Sequence, residues 1–381
     1  MKIAFIPSTF LPWVGGAEIQ THNTANKLAE KGHNVDIFLL DKTSINNKKY
    51  NTIKLNKFLI NIIFILKYYF KINFGFLLEY YFKKICINNA YDVWHFQSVN
   101  FKTLMYVKVL KKLKQKVVVT FHGADIQKDE NILYGYRFDK KYEDFLSETI
   151  HFFDKVFVIS EDILKELNFF NFSKEKIVKI PNSIVVKKIV DVGDNKFNPN
   201  KLNIITVARF YQKKKGLDLI EKVSKILIKE NINFTWTLVG RNSNLLLEKK
   251  FIKNNQNYFN IKKEVKNLDE IFFPHSDLIK LYKKNNVYVN LARIESFGVT
   301  MIEAIAAGLH VVSFNTRGAN EIIVNNQNGY IVNEYNSEDM AKLLMLKFND
   351  SSFNKIITDK EIMKYDLEVN TKLILKNYHN L

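Results

Sequence analysis

Cysteine is nearly missing from this chain. Cys86 stands alone among 381 residues, so no intrachain disulfide can form and a reducing compartment suits the protein. Arginine is almost as scarce: Arg137, Arg209, Arg241, Arg293 and Arg317 are the only ones, and lysine supplies the rest of the +18 net charge. Readers of nucleic acid lean on arginine for base edges and phosphates. The chain has no zinc pattern, aromatic-rich RNA-binding signature or internal repeat. With asparagine, isoleucine and phenylalanine also abundant, the lysine excess reads as the base composition of an AT-rich genome, and no nucleic-acid partner is expected. Long apolar runs are absent too. The longest, Phe58 to Leu66, is interrupted by Asn61 and stops at Lys67, too short to span a bilayer. The first residues lack the basic and apolar regions of a signal peptide. A cytoplasmic protein is expected, at the inner face of the cell membrane if it touches a membrane at all.

What is present is a repeated alternation of strand and helix patterns. At this length two domains are the natural reading. Lys2–Pro7, Asn34–Leu40, Val93–Phe96, Lys116–Phe121, Lys155–Ile159 and Lys176–Ile180 read as short strands rich in Val and Ile. Helical patterns fill the intervals, and Ala17–Lys31 is one of them. Such alternation predicts a parallel sheet with helices on both faces. A polar stretch, Asp191 to Asn195 with Pro199 beyond, reads as a linker. A second series follows: Leu202–Ala208, Thr235–Val239, Val287–Leu291, His310–Phe314 and Tyr330–Val332. We therefore expect domains at 1–190 and 191–359, with a terminal helix over 360–381.

The most informative run is Ala292 to Gly308. Glu295 falls in the loop after a strand, while Glu303 lies about one and a half turns into the next helix at ~3.6 residues per turn. Between them the amides of Phe297, Gly298, Val299 and Thr300 face out of a helix N-terminus, where partial positive charge attracts an anion. Carboxylates accept from hydroxyls and amides hold phosphate, so a nucleotide-sugar suits the set. A plainer alternative makes Glu295 a cap and Glu303 surface charge.

Other positions deserve weighing. Gly15-Gly16 opens the first helix and lets backbone approach a ligand. His122-Gly123 follows the buried strand Val117–Thr120, and a His there is as often structural as functional. Arg209 ends a strand, and Lys215-Gly216 follows; two fixed cations can stabilise charge on a departing diphosphate. Runs such as Lys213-Lys214-Lys215 are usually solvated surface, but a scarce arginine ending a buried strand is not.

Taken together these residues resemble glycosyltransferase family 4, whose signature is glutamate-x7-glutamate. The resemblance implies the GT-B fold: α/β, with two doubly wound Rossmann-like domains facing across a cleft, and the last helix packing back on the first domain. It implies that Arg209 and Lys215 hold the donor diphosphate, that Lys215 rather than Lys214 is the matching lysine, and that Glu303 binds ribose hydroxyls. Glu295, with the amides of Phe297 and Gly298, would hold the sugar, and His122 would lie near its anomeric carbon. Gly15, Gly16 and Gly240 match donor-domain or diphosphate-facing loops, and His95 matches a position on the acceptor side. Asp125 orients the acceptor or merely caps a local turn. The expected reaction is metal-independent transfer from a nucleoside diphosphate sugar, UDP first, to a hydroxyl of a glycan or lipid-linked glycan. Retention by a front-face route is implied. No Asp-x-Asp triplet and no zinc spacing occurs, and no cofactor is expected. The family's usual glycine near the nucleotide base is replaced by Phe272-Phe273-Pro274-His275, which leaves the base open. A GT-B sugar-nucleotide epimerase, or a non-catalytic basic protein binding membrane or nucleic acid, is the alternative.

Residues 51–91 carry six lysines, one acid (Glu79) and ten aromatics between Phe58 and Phe82. Apolar side chains cover most of a helical wheel here, so the segment is either domain core or a lipid-facing helix. Peripheral contact with an anionic membrane through 54–84 and 102–116 is one expectation, and burial in the core is the other.

Overall fold

The computed structural model describes the chain except residues 44, 211–212, 264–269, 334 and 358–359. It divides into two units. Unit 1 is Met1–Asn182 together with a short piece ending at Phe272 and the terminal Leu367–Leu381; unit 2 holds most of the remainder up to Asp366. The division after Asn182 comes before the polar stretch Asp191–Asn195, because the 186–191 helix already packs with unit 2.

Unit 1 is a seven-stranded parallel sheet. Its strands are β1 (Lys2–Pro7), β2 (Asn34–Leu39), β3 (Asn51–Lys54), β4 (Val93–Gln97), β5 (Val117–Phe121), β6 (Lys155–Val158) and β7 (Ile177–Lys179). They stand in the order β3-β2-β1-β4-β5-β6-β7. Every residue of β4 and β5 is buried, as a parallel sheet covered on both faces requires. The order reverses direction between β1 and β4, which pair Ile3 with Val93 and Phe5 with His95. A crevice at the carboxyl ends of such a strand pair is where doubly wound sheets bind ligands. Helix α1 (Gly16–Glu30) leaves that crevice directly after β1.

Three further helices matter below: α2 (Lys57–Phe70), α3 (Gly75–Asn88) and α4 (Phe101–Lys112). The inner sides of α2 and α3 bury only Ile60, Ile63, Leu78 and Phe82. The ring of Phe82 lies 5.0 Å from that of Tyr106 on α4 and 6.0 Å from that of Trp94.

The terminal segment opens as a 3-10 turn, Lys360–Tyr365, and the α-helix itself runs Leu367–His379. That helix is sewn into unit 1. Tyr378 Oη sits 2.5 Å from His95 Nδ1, Lys155 donates to Asn377, and Asn370 donates to the carbonyl of Pro181. Glu368 pairs with both Lys27 and Lys31.

Unit 2 is a six-stranded parallel sheet built from β8 (Leu202–Val207), β9 (Phe234–Val239), β10 (Phe259–Lys262), β11 (Val287–Asn290), β12 (His310–Phe314) and β13 (Gly329–Val332). The order is β10-β9-β8-β11-β12-β13, so its switch point lies between β8 and β11. The core centres on Trp236, Leu238, Ile204, Val287 and Val289, all essentially unexposed.

Candidate functional site

The switch point of unit 2 gathers the charged residues that the sequence set apart. β8 delivers Arg209 at its carboxyl end. A single 3-10 turn, Lys213–Lys215, follows, and β11 feeds the loop Ala292–Gly298. The two loops are tied together, since the amide of Arg293 donates to the carbonyl of Lys214 at 2.7 Å. Arg293 forks onto both carboxylate oxygens of Asp218 at 2.8 Å and lies over the Tyr335 ring.

Lys215 Nζ meets Glu295 at 2.5 Å, and both side chains are largely shielded from solvent. Burial alone would raise the Glu295 carboxyl, but the charges of Lys215 and Lys214, the Lys215 hydrogen bond and the charge of Arg209 outweigh it. The carboxyl therefore titrates below its ordinary value. Lys214 belongs to the same group: burial pushes its ammonium down to about 8, against the pull of Glu295. Three cations thus stand about one carboxylate. The lysine run is not solvated surface here, because the turn folds two of its three amines onto the β11 loop. Nothing in a bare Lys-Lys-Lys sequence signals this for Lys214.

Close backbone packing fixes the loops. Gly216 has φ +63, and a Cβ there would come within 1.7 Å of the Leu291 carbonyl oxygen. Gly240, at φ +142, lies as tightly against the Ala208 carbonyl. Gly318 runs beneath the acidic loop, its amide donating to the Glu295 carbonyl at 3.0 Å. Gly216→Ala is expected to cost about 2 kcal/mol or more from the overlap and the left-handed backbone. Chemical denaturation of the variant checks this.

The helix Val299–Ala306 opens at Gly298, which is left-handed at φ +104. The Met301 amide turns back to the Gly298 carbonyl at 2.9 Å, while the amides of Val299 and Thr300 precede any acceptor within the helix and leave its positive end at the close of the Ala292–Gly298 loop. Thr300 Oγ1 is engaged with Tyr288 Oη at 2.7 Å, and Phe297 packs edge-on to Tyr365. Glu303, 3% exposed, accepts from Tyr282 Oη at 2.8 Å. Burial pushes its carboxyl up to about 7, opposed by that hydrogen bond and by the charge of Lys188. Tyr282 was not singled out from sequence; it lies on a short helix whose pattern says only that it is buried.

Unit 1 carries the remaining candidates. Gly15 caps α1 in extended backbone and Gly16 is its first helical residue. His122 follows β5, with Nε2 held by Gln97 Oε1 at 3.1 Å and a buried Nδ1 that has no hydrogen-bond partner. Burial lowers its pKa to about 4, so the ring is neutral at pH 7. With Nε2 donating to Gln97, Nδ1 is left as an acceptor. Asp125 is 1% exposed, and its carboxylate takes the amides of His122 and Gly123. It shapes the histidine's turn, which is the capping alternative. His95 needs correction. It is wholly enclosed, with one nitrogen on Tyr378 and the other 2.7 Å from Thr120 Oγ1, so it lines no open surface. Its place in the centre of a fully buried strand explains this.

Sequence reasoning missed a cavity of about 190 Å³ at the carboxyl ends of β1 and β2, lined among others by Trp13, Asp41, Lys42, Asn100, Lys102 and Tyr106. Its residues come from four separate stretches, so no local motif marks it. Among the described residues no cluster of three His, Cys, Asp or Glu side chains is arranged to hold a metal ion.

Comparison with known proteins follows the same division. Residues 14–188 match the family model for Glycosyltransferase Family 4, and residues 188–362 match Glycosyl transferases group 1. An uncharacterized glycosyltransferase of Methanocaldococcus jannaschii is 22% identical over 367 residues, spanning 96% of this chain and 93% of the relative. The poly(ribitol-phosphate) alpha-N-acetylglucosaminyltransferase of Staphylococcus aureus is 26% identical over 254 residues, 64% of this chain and 46% of its own. Among solved structures, HepE of Anabaena in complex with UDP superposes with a TM-score of 0.76 at 14% identity, covering 100% of both chains. Both sheets are thus those of the GT-B fold.

Proposed function

Since the chain belongs to the GT-B glycosyltransferases of family 4 type and is a glycosyltransferase, we propose that its donor is a UDP-sugar seated on the charged cluster of unit 2. The observation that carries this reading is the grouping of Arg209, Lys214 and Lys215 about Glu295 beside a helix N-terminus. A nucleoside diphosphate brings the negative charge that this group lacks. Arg209 grips phosphate oxygens in a fork while the lysines act as point charges. As the sugar–phosphate bond breaks, negative charge grows on the leaving diphosphate, and the fixed cations stabilise it without a metal.

Glu303 takes the ribose hydroxyls. Glu295 and the amides of Phe297 to Thr300 take the sugar's hydroxyls and phosphate. His122 of unit 1, neutral at pH 7, is the residue that the family 4 resemblance assigns to the sugar's reacting carbon. The family 4 resemblance favours retention by front-face attack, the leaving phosphate accepting the acceptor's proton; among the described residues no carboxylate stands as an evident covalent nucleophile. The acceptor is a hydroxyl of a glycan or lipid-linked glycan. The unit 1 cavity lined by Trp13, Asp41, Lys42 and Lys102 is the candidate seat for it, offering an aromatic face and side chains of both charges to sugar hydroxyls.

Calorimetric titration with UDP, GDP and ADP and their sugar conjugates tests the donor assignment. Binding in the UDP series, at least about tenfold tighter than the others, is the expected result. Preference for another base would overturn the UDP assignment, and no binding in any series would sink the donor site.

A further inference from the structure

We propose that the outer face of α2 and α3 is a docking surface for an anionic lipid bilayer. The argument begins with a helix that is apolar on both sides. Along α2 the core is met by Ile60 and Ile63. The opposite stripe is Phe58, Ile62, Ile65 and Tyr69, spaced i, i+4, i+7, i+11 and confined to about a sixth of the wheel at 100° per residue. These residues are exposed to solvent, Phe58 by 77% and Tyr69 by 63%. Helix α3 repeats the device. Leu78 and Phe82 face inward, while Phe76, Tyr80 and Ile87, again at i, i+4, i+11, face out at 62%, 61% and 72%. Phe70 and Ile72 at the turn between the helices are exposed as well.

The inner sides show that this is not core awaiting a better fit. Asn61 already accepts from Lys102, Lys67 lies 3.8 Å over the Phe145 ring, Phe64 packs on Phe101, and Tyr68 bonds Asp139. The hairpin is anchored, and a surplus apolar stripe on each helix points away. Nine large apolar side chains gathered on one hairpin of a folded domain call for a covering surface.

Charge selects the occupant. Lys54, Lys71, Lys83 and Lys84 are exposed on the same segment, as is Lys57, which pairs with Asp41 at 2.7 Å. Its sole acid, Glu79, is paired with Lys112. Lys83 sits within the α3 stripe itself, and Lys84 lies over the Tyr80 ring. A second copy of this chain would set lysines against lysines, which disfavours self-association. A negatively charged bilayer matches both features: aromatic rings rest at the headgroup boundary while lysine stems reach phosphates. Among the described residues no helix is long and apolar enough to cross a membrane, so the contact is peripheral. The proposal stands independently of the donor assignment.

The test is sedimentation of the 381-residue chain with vesicles of phosphatidylcholine, with and without phosphatidylglycerol. Partition onto the anionic vesicles, weakening with salt, is expected. Lys71→Gln/Lys83→Gln/Lys84→Gln should lower the partition coefficient on the order of a hundredfold, at roughly fivefold per charge. Phe58→Ser/Tyr69→Ser/Phe76→Ser should lower it about tenfold or more through lost apolar burial. These side chains are exposed, so both variants should keep the parent's unfolding midpoint, and both should bind nucleotide as the parent does. Equal partition of either variant and the parent would overturn the proposal. So would a parent that ignores anionic vesicles, including one whose mass instead doubles with concentration through the apolar stripe.

Discussion

Lys215→Ala is expected to lower turnover by about 10²–10³-fold, the usual effect of removing one preorganised donor from a site of developing negative charge. In the free protein Lys215 is committed to Glu295 at 2.5 Å. An arriving diphosphate competes for the same ammonium, so Lys215 passes from one anion to the other. Its pull grows as the sugar–phosphate bond breaks, and therefore kcat should fall more than affinity for UDP does. UDP release from the donor, followed with and without acceptor, reads the first quantity, and calorimetry reads the second. Lys213→Ala, at an exposed position of the same turn, is the control and should change neither. Equal losses in affinity and turnover would reduce Lys215 to uniform binding. No loss in either would remove it from the site.

Glu303→Gln is expected to abolish a pH dependence of stability worth about 3 kcal/mol. The carboxyl titrates near 4.5 when unfolded and at about 7 when folded, because burial disfavours the charge. Between those values the native state holds the proton that the unfolded chain has released. The contribution is full below about 4.5 and is lost as pH rises through about 7. Unfolding midpoints in denaturant, measured from pH 5 to 8, should fall for the parent and stay flat for the variant, apart from groups common to both. Ribose hydroxyls donate to the ionised form. On the proposed donor site, nucleotide binding should therefore tighten as pH rises through 7 and release a proton. Calorimetry in buffers of different ionisation enthalpy detects that release. A parent with no slope would show that Tyr282 and Lys188 hold Glu303 ionised.

Much of this architecture is legible in the residues because parallel strands buried on both faces leave runs such as Val117–Phe121 and His310–Phe314. Their alternation with helices fixes the layering. The strands that escaped notice, β3 and β10, are edge strands of four residues with a single isoleucine each. Half-exposed edges carry little apolar signal. The motif residues are legible where a residue type is rare or its neighbours constrained: Arg209 in an arginine-poor chain, Gly216 and Gly298 at positive φ. Roles set by distant partners were not. His95 looks like any histidine of a short strand until Tyr378 closes over it. Asp125 looks ligand-facing until its carboxylate is found on the amides of its own turn. Lys214 and Lys215 look alike, yet only their fold onto the β11 loop makes both part of one charged group. The outward stripe of α2 shows the opposite limit. The sequence displays an apolar wheel, but only packing tells which half is already used.

The interleaving of the terminal helix with the first sheet also bears on how the protein is made. Ribosomal synthesis delivers β1 to β7 first, yet the partners of His95, Lys155, Lys31 and the Pro181 carbonyl arrive only with residues 368–378. Until then a buried imidazole nitrogen and a carbonyl wait without them, at a cost for each unpaired group. Unit 2 emerges with its own core in the interval. The half of the protein translated first is therefore the half completed last, and a chain arrested short of Tyr378 would carry a finished second unit behind an unsealed first one.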